Sequence, residues 1–555
     1  MQKIIFSLLL ALSVQRVCAE NTHGMVATVD KLATRAGVEA MKHGGNAVDA
    51  AVAAGLTLGV ADGFNSGIGG GCFLLIRRSN GEFVAIDGRE MAPAASTRDM
   101  FIRNGKGDTE LSQTGALASG VPGALAAYDL ALKKCGKLTL KEHLLNAAKI
   151  AEEGFPLSSS YAHILREEVT NLNRFEGSRA VLLKTNGLPY EKGEILKQPD
   201  LAKTYRAIAE HGIGWFYGGP FAQATEKWMK ANGGIMTATD FKHYEAVLRE
   251  PISTDYRGYT VVSFPPPSSG GPHVIEMLNI LGTRDLKSIG TNEVDKLHFI
   301  AEAMKLAFAD RAYWLGDPDY VKVPRGLITK EYAKKLAAKI SLDHTTVVPG
   351  HGTPENSGSY VFKKHTTHFS TADAEGNWVA CTATVNTSFG SKVIIPGTGV
   401  VMNDEMDDFS VQPGVANYFG LIGSEANAVE PGKRPLSSMS PTIVLNEGKP
   451  ILALGAAGGP TIISQTVLNI VNILDFGMSV TDALAQPRIH QQWSPDELRI
   501  ETSMKSEIMA GLEKKGHKLN KLQHIGVSQA VMRSPDGKGF VGAADLRSGG
   551  TAEGW

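Results

Sequence analysis

The sequence predicts an α+β fold, antiparallel sheet covered by helices, on three observations. Runs rich in Thr, Val, Ile and aromatic residues come in pairs around short turn sequences at 367–386, 441–455 and 528–543, the pattern of β-hairpins. Segments with helical apolar spacing lie before and between these hairpins. Glycine is abundant at 61 residues, which favours turns and close backbone approaches over a helical bundle. Layering helices on sheet then buries the apolar face of each. No repeat of fixed period is visible.

The chain opens on a targeting signal. Met1-Gln2-Lys3 is a short positive head, residues 4–14 are an apolar run, and Val17-Cys18-Ala19 has the small-residue pattern of a signal-peptidase site. This predicts a signal peptide over 1–19, cut after Ala19, and a periplasmic or secreted product. The apolar run is too short to span a bilayer, which takes about 20 residues, and no later segment reads as a membrane span. Acylation of Cys18 is disfavoured by the bulky Arg16 and Val17 before it.

Next, residues 32–41 have helical spacing, Gly44-Gly45 interrupts it, and 47–60 read as an Ala/Val/Leu-rich buried helix. A glycine turn, Gly67 to Gly71, precedes a strand at 72–76, and Asn80-Gly81 turns the chain into a second strand at 83–86. Residues 123–340 read as mostly helical, with interruptions at Pro265-Pro266-Pro267 and Gly270-Gly271. The stretch 344–364 is rich in Gly, Pro, Ser, Thr and His and reads as an exposed loop. Directly after it the hairpins begin.

Of the 555 residues, 43% are apolar and 20% charged, ordinary for a chain that buries a large core. A prior of about 150 residues per domain suggests three or four domains. Lys plus Arg (56) balance Asp plus Glu (57), so no strong field points to nucleic acid or an anionic membrane. Beyond Cys18 stand Cys72, Cys135 and Cys381, too few and too scattered to pair completely, and they read as buried, inert thiols. The sequon Asn386-Thr387-Ser388 falls in a candidate active site, which argues against glycosylation there.

Several familiar motifs fail on context. Gly67-Ile68-Gly69-Gly70-Gly71 lies after a helix and before a strand, the reverse of a dinucleotide fingerprint. His365 and His368 lack a metalloprotease Glu and a third ligand. The nucleophile elbow Gly-x-Ser-x-Gly is absent. What stands out is Lys364-His365-Thr366-Thr367-His368-Phe369-Ser370, at the junction of loop and strand. A Thr-Thr pair on a strand is usually a β-propensity choice, but here a cut before Thr366 would free an α-amine. A threonine hydroxyl needs an adjacent base. An α-amine with pKa about 7.7–8.0 is roughly a tenth neutral at pH 7, whereas a lysine near 10.4 is almost wholly protonated.

These residues, taken with Asp87-Gly88-Arg89-Glu90-Met91-Ala92-Pro93, Asn403-Asp404-Glu405-Met406-Asp407-Asp408-Phe409, Arg434-Pro435-Leu436-Ser437-Ser438-Met439-Ser440-Pro441 and Gly455-Ala456-Ala457-Gly458-Gly459, make the chain resemble the γ-glutamyltranspeptidase family of N-terminal nucleophile hydrolases. The likeness runs across nearly all of the mature chain. It implies a four-layer αββα sandwich woven from two products of self-cleavage between His365 and Thr366, 20–365 and 366–555. It implies Thr366 as nucleophile, with Thr384 holding its hydroxyl in line. Arg89, assisted by Ser437 and Ser438, would grip an α-carboxylate, a task suited to guanidinium. Asn386, Glu405 and Asp408 would receive the α-ammonium, and the amides of Gly458 and Gly459 would form the oxyanion hole.

The implied reaction transfers a γ-glutamyl group, with glutathione the leading donor, to water or to an amino acid or dipeptide acceptor. No metal or organic cofactor and no nucleic acid is implied. Glu405 stands where a Gln is also found in bacterial members, and adds charge toward an ammonium. Residues 413–420 resemble the lid loop of some members, with Phe419 in place of an expected tyrosine beside Tyr418. The rivals are a glutaryl or cephalosporin acylase or a poly-γ-glutamate hydrolase on the same scaffold, and a non-catalytic secreted amino-acid-binding protein.

Overall fold

Two antiparallel sheets organise the chain. The structure, a computed structural model, describes residues 21–354, 366–412, 418, 420 and 423–555. The expected signal peptide, His365, residues 355–364 of the loop before it, and most of the segment that resembles a lid, including Phe419, lie outside the described residues. The strands that build the sheets are β1 (Gly24–Thr28), β2 (Gly71–Arg77), β3 (Phe83–Gly88), β4 (Val247–Arg249), β5 (Ile252–Tyr256), β6 (Tyr259–Ser263), β7 (Thr367–Asp373), β8 (Trp378–Thr384), β9 (Thr442–Asn446), β10 (Lys449–Ala457), β11 (Val527–Arg533), β12 (Phe540–Ala544) and β13 (Thr551–Gly554). One sheet has the order β13-β1-β7-β8-β2-β3-β4 and the other β12-β11-β10-β9-β6-β5.

The side-chain alternation of each strand explains the packing. On β8, Val379, Cys381 and Ala383 join a core shared with helices, while Trp378 and Ala380 join a core shared with the other sheet. On β9, Val444 faces helices and Ile443 and Leu445 face the first sheet. Burying each Val, Ile or Leu among them contributes about 1.5–3 kcal/mol, and a one-residue slip would send every side chain to the wrong face. Both faces of each sheet are therefore fixed in register. The three largest apolar cores among the described residues lie between the sheets, centred on Phe73, Phe264, Trp378 and Phe540, and on each outer side.

Helices cover the outer faces. Helices α1 (Lys31–Lys42) and α2 (Ala47–Ala61) follow the predicted break at Gly44-Gly45, and Asn46 closes a capping box with Asp49 at the start of α2. All 15 residues of α2 are buried, which is why it carries no polar stripe. On the other side lie α3 (Gly270–Leu281), α4 (Glu293–Trp314) and α5 (Thr461–Leu474).

The hairpins at 367–386, 441–455 and 528–543 form as expected, with β8 ending at Thr384 rather than Asn386. The stretch 123–340 is mostly helical as expected, but β4, β5 and β6 also interrupt it and contribute to both sheets. Strand β1 pairs with β7 and β13, joining residues more than 300 apart. The first sheet interleaves segments from both sides of Thr366: β13, β7 and β8 follow it in sequence, β1, β2, β3 and β4 precede it. A chain break before Thr366 would thus leave every strand pairing intact. Cys72, Cys135 and Cys381 are free thiols, the first and last buried and Cys135 half-buried.

Candidate active site

Thr366 stands one residue before β7 and is buried, 3% exposed. Its Oγ1 finds no hydrogen-bond partner among the described residues. The β7–β8 register pairs Thr367 with Ala383, so its next step sets Thr366 opposite Thr384. Thr384 Oγ1 accepts from Asn386 N at 2.8 Å, and Asn386 takes a left-handed backbone, φ 75°. The sheets touch where Gly455 packs against the His368 ring with no room for a Cβ. That contact lies two residues past Thr366 and three short of Gly458.

His368 is fully occupied. Its Nδ1 meets Thr382 Oγ1 and its Nε2 meets Ser370 Oγ, both at 2.9 Å, and burial pushes its pKa down to about 3. It is a neutral residue between the sheets with no ring nitrogen left for a metal.

Gly458 and Gly459 link β10 to α5, with φ 129° and 61°. Only glycine adopts the first without strain, and a Cβ there would also meet Thr461 Oγ1 and Gly526 Cα. The turn is braced: Thr461 Oγ1 donates to Gly458 O (2.6 Å), and Gln465 Nε2 donates to Ala457 O and Thr461 Oγ1 (both 3.0 Å). The two glycines thus head a 14-residue helix, whose first N–H groups lack intrahelical acceptors and carry partial positive charge.

Arg89 follows β3 and is wholly buried. Its Nε donates to Pro435 O and its Nη2 to Leu436 O, both at 2.9 Å. Its Nη1 pairs with Glu405 and its Nη2 with Asp408, both carboxylates being fully buried. The sequence reading assigned this guanidinium and these carboxylates to opposite charges of one ligand; the structure joins them directly. An uncompensated buried ion costs several kcal/mol, so the pocket's charges close on one another. Burial alone would lower the Arg89 pKa, but Glu405, Asp408 and Glu90 outweigh it and hold it above its ordinary value.

Glu405 and Asp408 begin and end one 3₁₀ turn (Glu405–Asp408). Asn403 fixes its start: Oδ1 accepts from Glu405 N (3.0 Å) and Gly120 N (2.8 Å), and Nδ2 donates to Gly69 O and Gly120 O (both 2.8 Å). The glycine run therefore serves close backbone approach, since a Cβ on Gly69 would strike Val401 O. Asp404 accepts from Thr387 N and Oγ1 at 2.9 and 2.7 Å, and its backbone carbonyl accepts from Asn386 Nδ2 at 3.0 Å. Burial pushes the Asp404 pKa up to about 8. Asp407 points away, accepting from Ser112 Oγ (2.5 Å), which separates its role from that of Asp408.

Ser437 and Ser438 are both buried. Ser437 O accepts from Ser269 N and Oγ at 2.5 and 2.7 Å. Ser438 Oγ accepts from Arg311 Nη2 at 2.7 Å, and Arg311 Nε donates to Ser269 Oγ at 2.8 Å. Neither Arg311 nor Ser269 was selected from sequence. The available signal was a charged pair, Asp310-Arg311, directly after the apolar run 306–309 of a buried helix.

With this geometry in hand, similarity to known proteins is informative. The family described as Gamma-glutamyltranspeptidase matches residues 33–555. The chain belongs to this family. Among its relatives, the glutathione hydrolase proenzyme of Escherichia coli (strain K12) is 46% identical over 532 residues, 95% of this chain and 90% of that one. The solved γ-glutamyltranspeptidase of Helicobacter pylori superposes with TM-score 0.56 at 41% identity, covering 57% of this chain and 91% of that one. A cephalosporin acylase from Bacillus halodurans superposes with TM-score 0.88 at 29% identity, covering 100% and 99%.

For a γ-glutamyltranspeptidase, one other cluster invites a metal reading. His298, Glu302 and His517 come together in the core, but His298 Nδ1 and His517 Nε2 already share a hydrogen bond at 2.8 Å. Lys305 Nζ lies 3.3 Å from Glu302 Oε1, the place a cation would take. Of the segment 413–420, Tyr418 is described and is 58% exposed. No helix among the described residues is long and apolar enough to cross a membrane.

Proposed function

We infer that this γ-glutamyltranspeptidase is a self-processing enzyme that hydrolyses glutathione and transfers its γ-glutamyl group. In processing, Thr366 Oγ would attack the His365 carbonyl, shift the acyl group from nitrogen to oxygen, and release the ester to water. The products, 20–365 and 366–555, would stay interleaved in a four-layer αββα unit, export having removed 1–19. The freed α-amine would take the Thr366 hydroxyl proton as Oγ attacks the γ-carbonyl and return it to the leaving amine. Amides of Gly458 and Gly459 would hold the oxyanion. Water or an acceptor amine would then release the γ-glutamyl ester.

The observation that carries the substrate class is the buried contact of Arg89 with both Glu405 and Asp408. A guanidinium in contact with these two carboxylates, backed by Asn386, Ser437 and Ser438, is matched by an amino acid head, which brings both charges. The acylase reading has support in the scaffold, but a glutaryl group brings a carboxylate and no ammonium. It leaves the acid pair without a ligand charge. Release of aniline from a γ-glutamyl anilide, measured beside the glutaryl analogue, decides between them. The γ-glutamyl compound is expected to react faster, and faster again with a dipeptide acceptor. Preference for the glutaryl compound would favour the acylase.

A further inference from the structure

Ser437 and Ser438 lie in the segment that follows Thr366, yet their immediate supports come from the segment before it. Arg311, in the last turn of α4, is fully buried and sends Nη2 to Ser438 Oγ (2.7 Å) and Nε to Ser269 Oγ (2.8 Å). Ser269 in turn donates its hydroxyl proton to Ser437 O (2.7 Å), and its amide donates to the same carbonyl. A guanidinium has only donors, whereas a serine hydroxyl has one proton and two acceptor lone pairs. When Arg311 fills an acceptor site of Ser438, the Ser438 proton must point elsewhere. It is then available to a carboxylate.

We propose that Arg311 is a positioning residue for the donor's α-carboxylate: it fills one acceptor site of the Ser438 hydroxyl, leaving the proton to be donated to the carboxylate, and, through Ser269, sets the Ser437 backbone beside it. The inference rests on the γ-glutamyltransferase reading and extends it to a residue that does not touch the substrate. The burial of Arg311 is not incidental to this. Taking a guanidinium out of water is costly unless its donors are used, and here two of them go to Ser438 and Ser269. The opposing negative charge is Asp408, so the cation also faces the acid of the same pocket; burial, the larger effect, lowers the Arg311 pKa and Asp408 partly restores it.

The test is a double-mutant cycle on the processed enzyme. Arg311→Met and Ser438→Ala are each expected to raise KM for a γ-glutamyl anilide about tenfold, with kcat within about twofold. If Arg311 acts through Ser438, the double variant shows about the same tenfold rise rather than a product of the two. Multiplied effects, or an unchanged KM in Arg311→Met, would overturn the proposal. Should Arg311→Met fail to fold or process, Ser269→Ala removes one of its acceptors and leaves the charge. That variant is expected to raise KM in the parent by releasing the Ser437 backbone, and an unchanged KM in the parent counts against the proposal. A wild-type enzyme inert toward γ-glutamyl anilides would instead remove the functional reading, and this inference with it.

Discussion

Thr366→Ala is expected to yield one uncut chain with no measurable transferase activity. Without a hydroxyl, nothing attacks the His365 carbonyl, and the α-amine that would serve as base is never released. Loss of a nucleophile and its base together costs more than about a thousandfold in kcat. The fold is expected to survive, because strand pairings around Thr366 run between segments that are continuous with or without the break. Thr366→Ser keeps a hydroxyl and should still cut itself. Denaturing gels of both variants, beside circular dichroism, check the result. Two bands from Thr366→Ala would place the nucleophile elsewhere.

Asp408→Asn is expected to change which donor the enzyme prefers. In the wild type, Asp408 pairs with Arg89 and faces Arg311. Its neutral replacement removes a partner for the incoming ammonium and leaves more uncompensated positive charge for an incoming carboxylate. Losing a hydrogen bond to a charged group costs on the order of 1.5–3 kcal/mol, a ten- to hundredfold fall in kcat/KM for γ-glutamyl donors. Glutaryl donors, which carry only the carboxylate, should lose little or gain. The ratio of the two kcat/KM values is the quantity to follow, measured on protein confirmed as fully processed. Equal losses for both donors would mean that Asp408 acts by holding Arg89, not by receiving an ammonium.

Much of the fold could be read from local pattern. The hairpins at 367–386, 441–455 and 528–543 announce themselves because alternation and turn residues lie within a few positions of each other. Strands β1, β4 and β13 do not, because each is short and its partners are remote: β1 pairs with residues near 373 and 554. β5 and β6 form a hairpin around Arg257, φ 55°, and Gly258, φ 85°, but sit inside a stretch whose neighbours are helical.

The candidate site divides the same way. Thr366 was visible as a chemical oddity at a loop-to-strand junction. Arg89, Glu405, Asp408, Asn386, the serines and the glycines came from the resemblance to a family, since a lone arginine or an acidic pair says nothing by itself. No local rule could show that Arg89 meets carboxylates 316 and 319 residues away. Arg311 was missed because its partners, Ser269 and Ser438, lie 42 and 127 residues off. Side chains buried by tertiary packing reveal their role only when the sheets are closed.

The central claim is that Thr366 becomes a free N-terminus and then carries the γ-glutamyl group. Acid quench of the enzyme during turnover of a γ-glutamyl donor, followed by peptide mass spectrometry, tests this directly. The expected result is a peptide beginning Thr366-Thr367-His368 in the resting enzyme, which gains one γ-glutamyl group on Thr366 during turnover and loses it when an acceptor is added. A mature chain that begins elsewhere, or a γ-glutamyl group on any other residue, would contradict it.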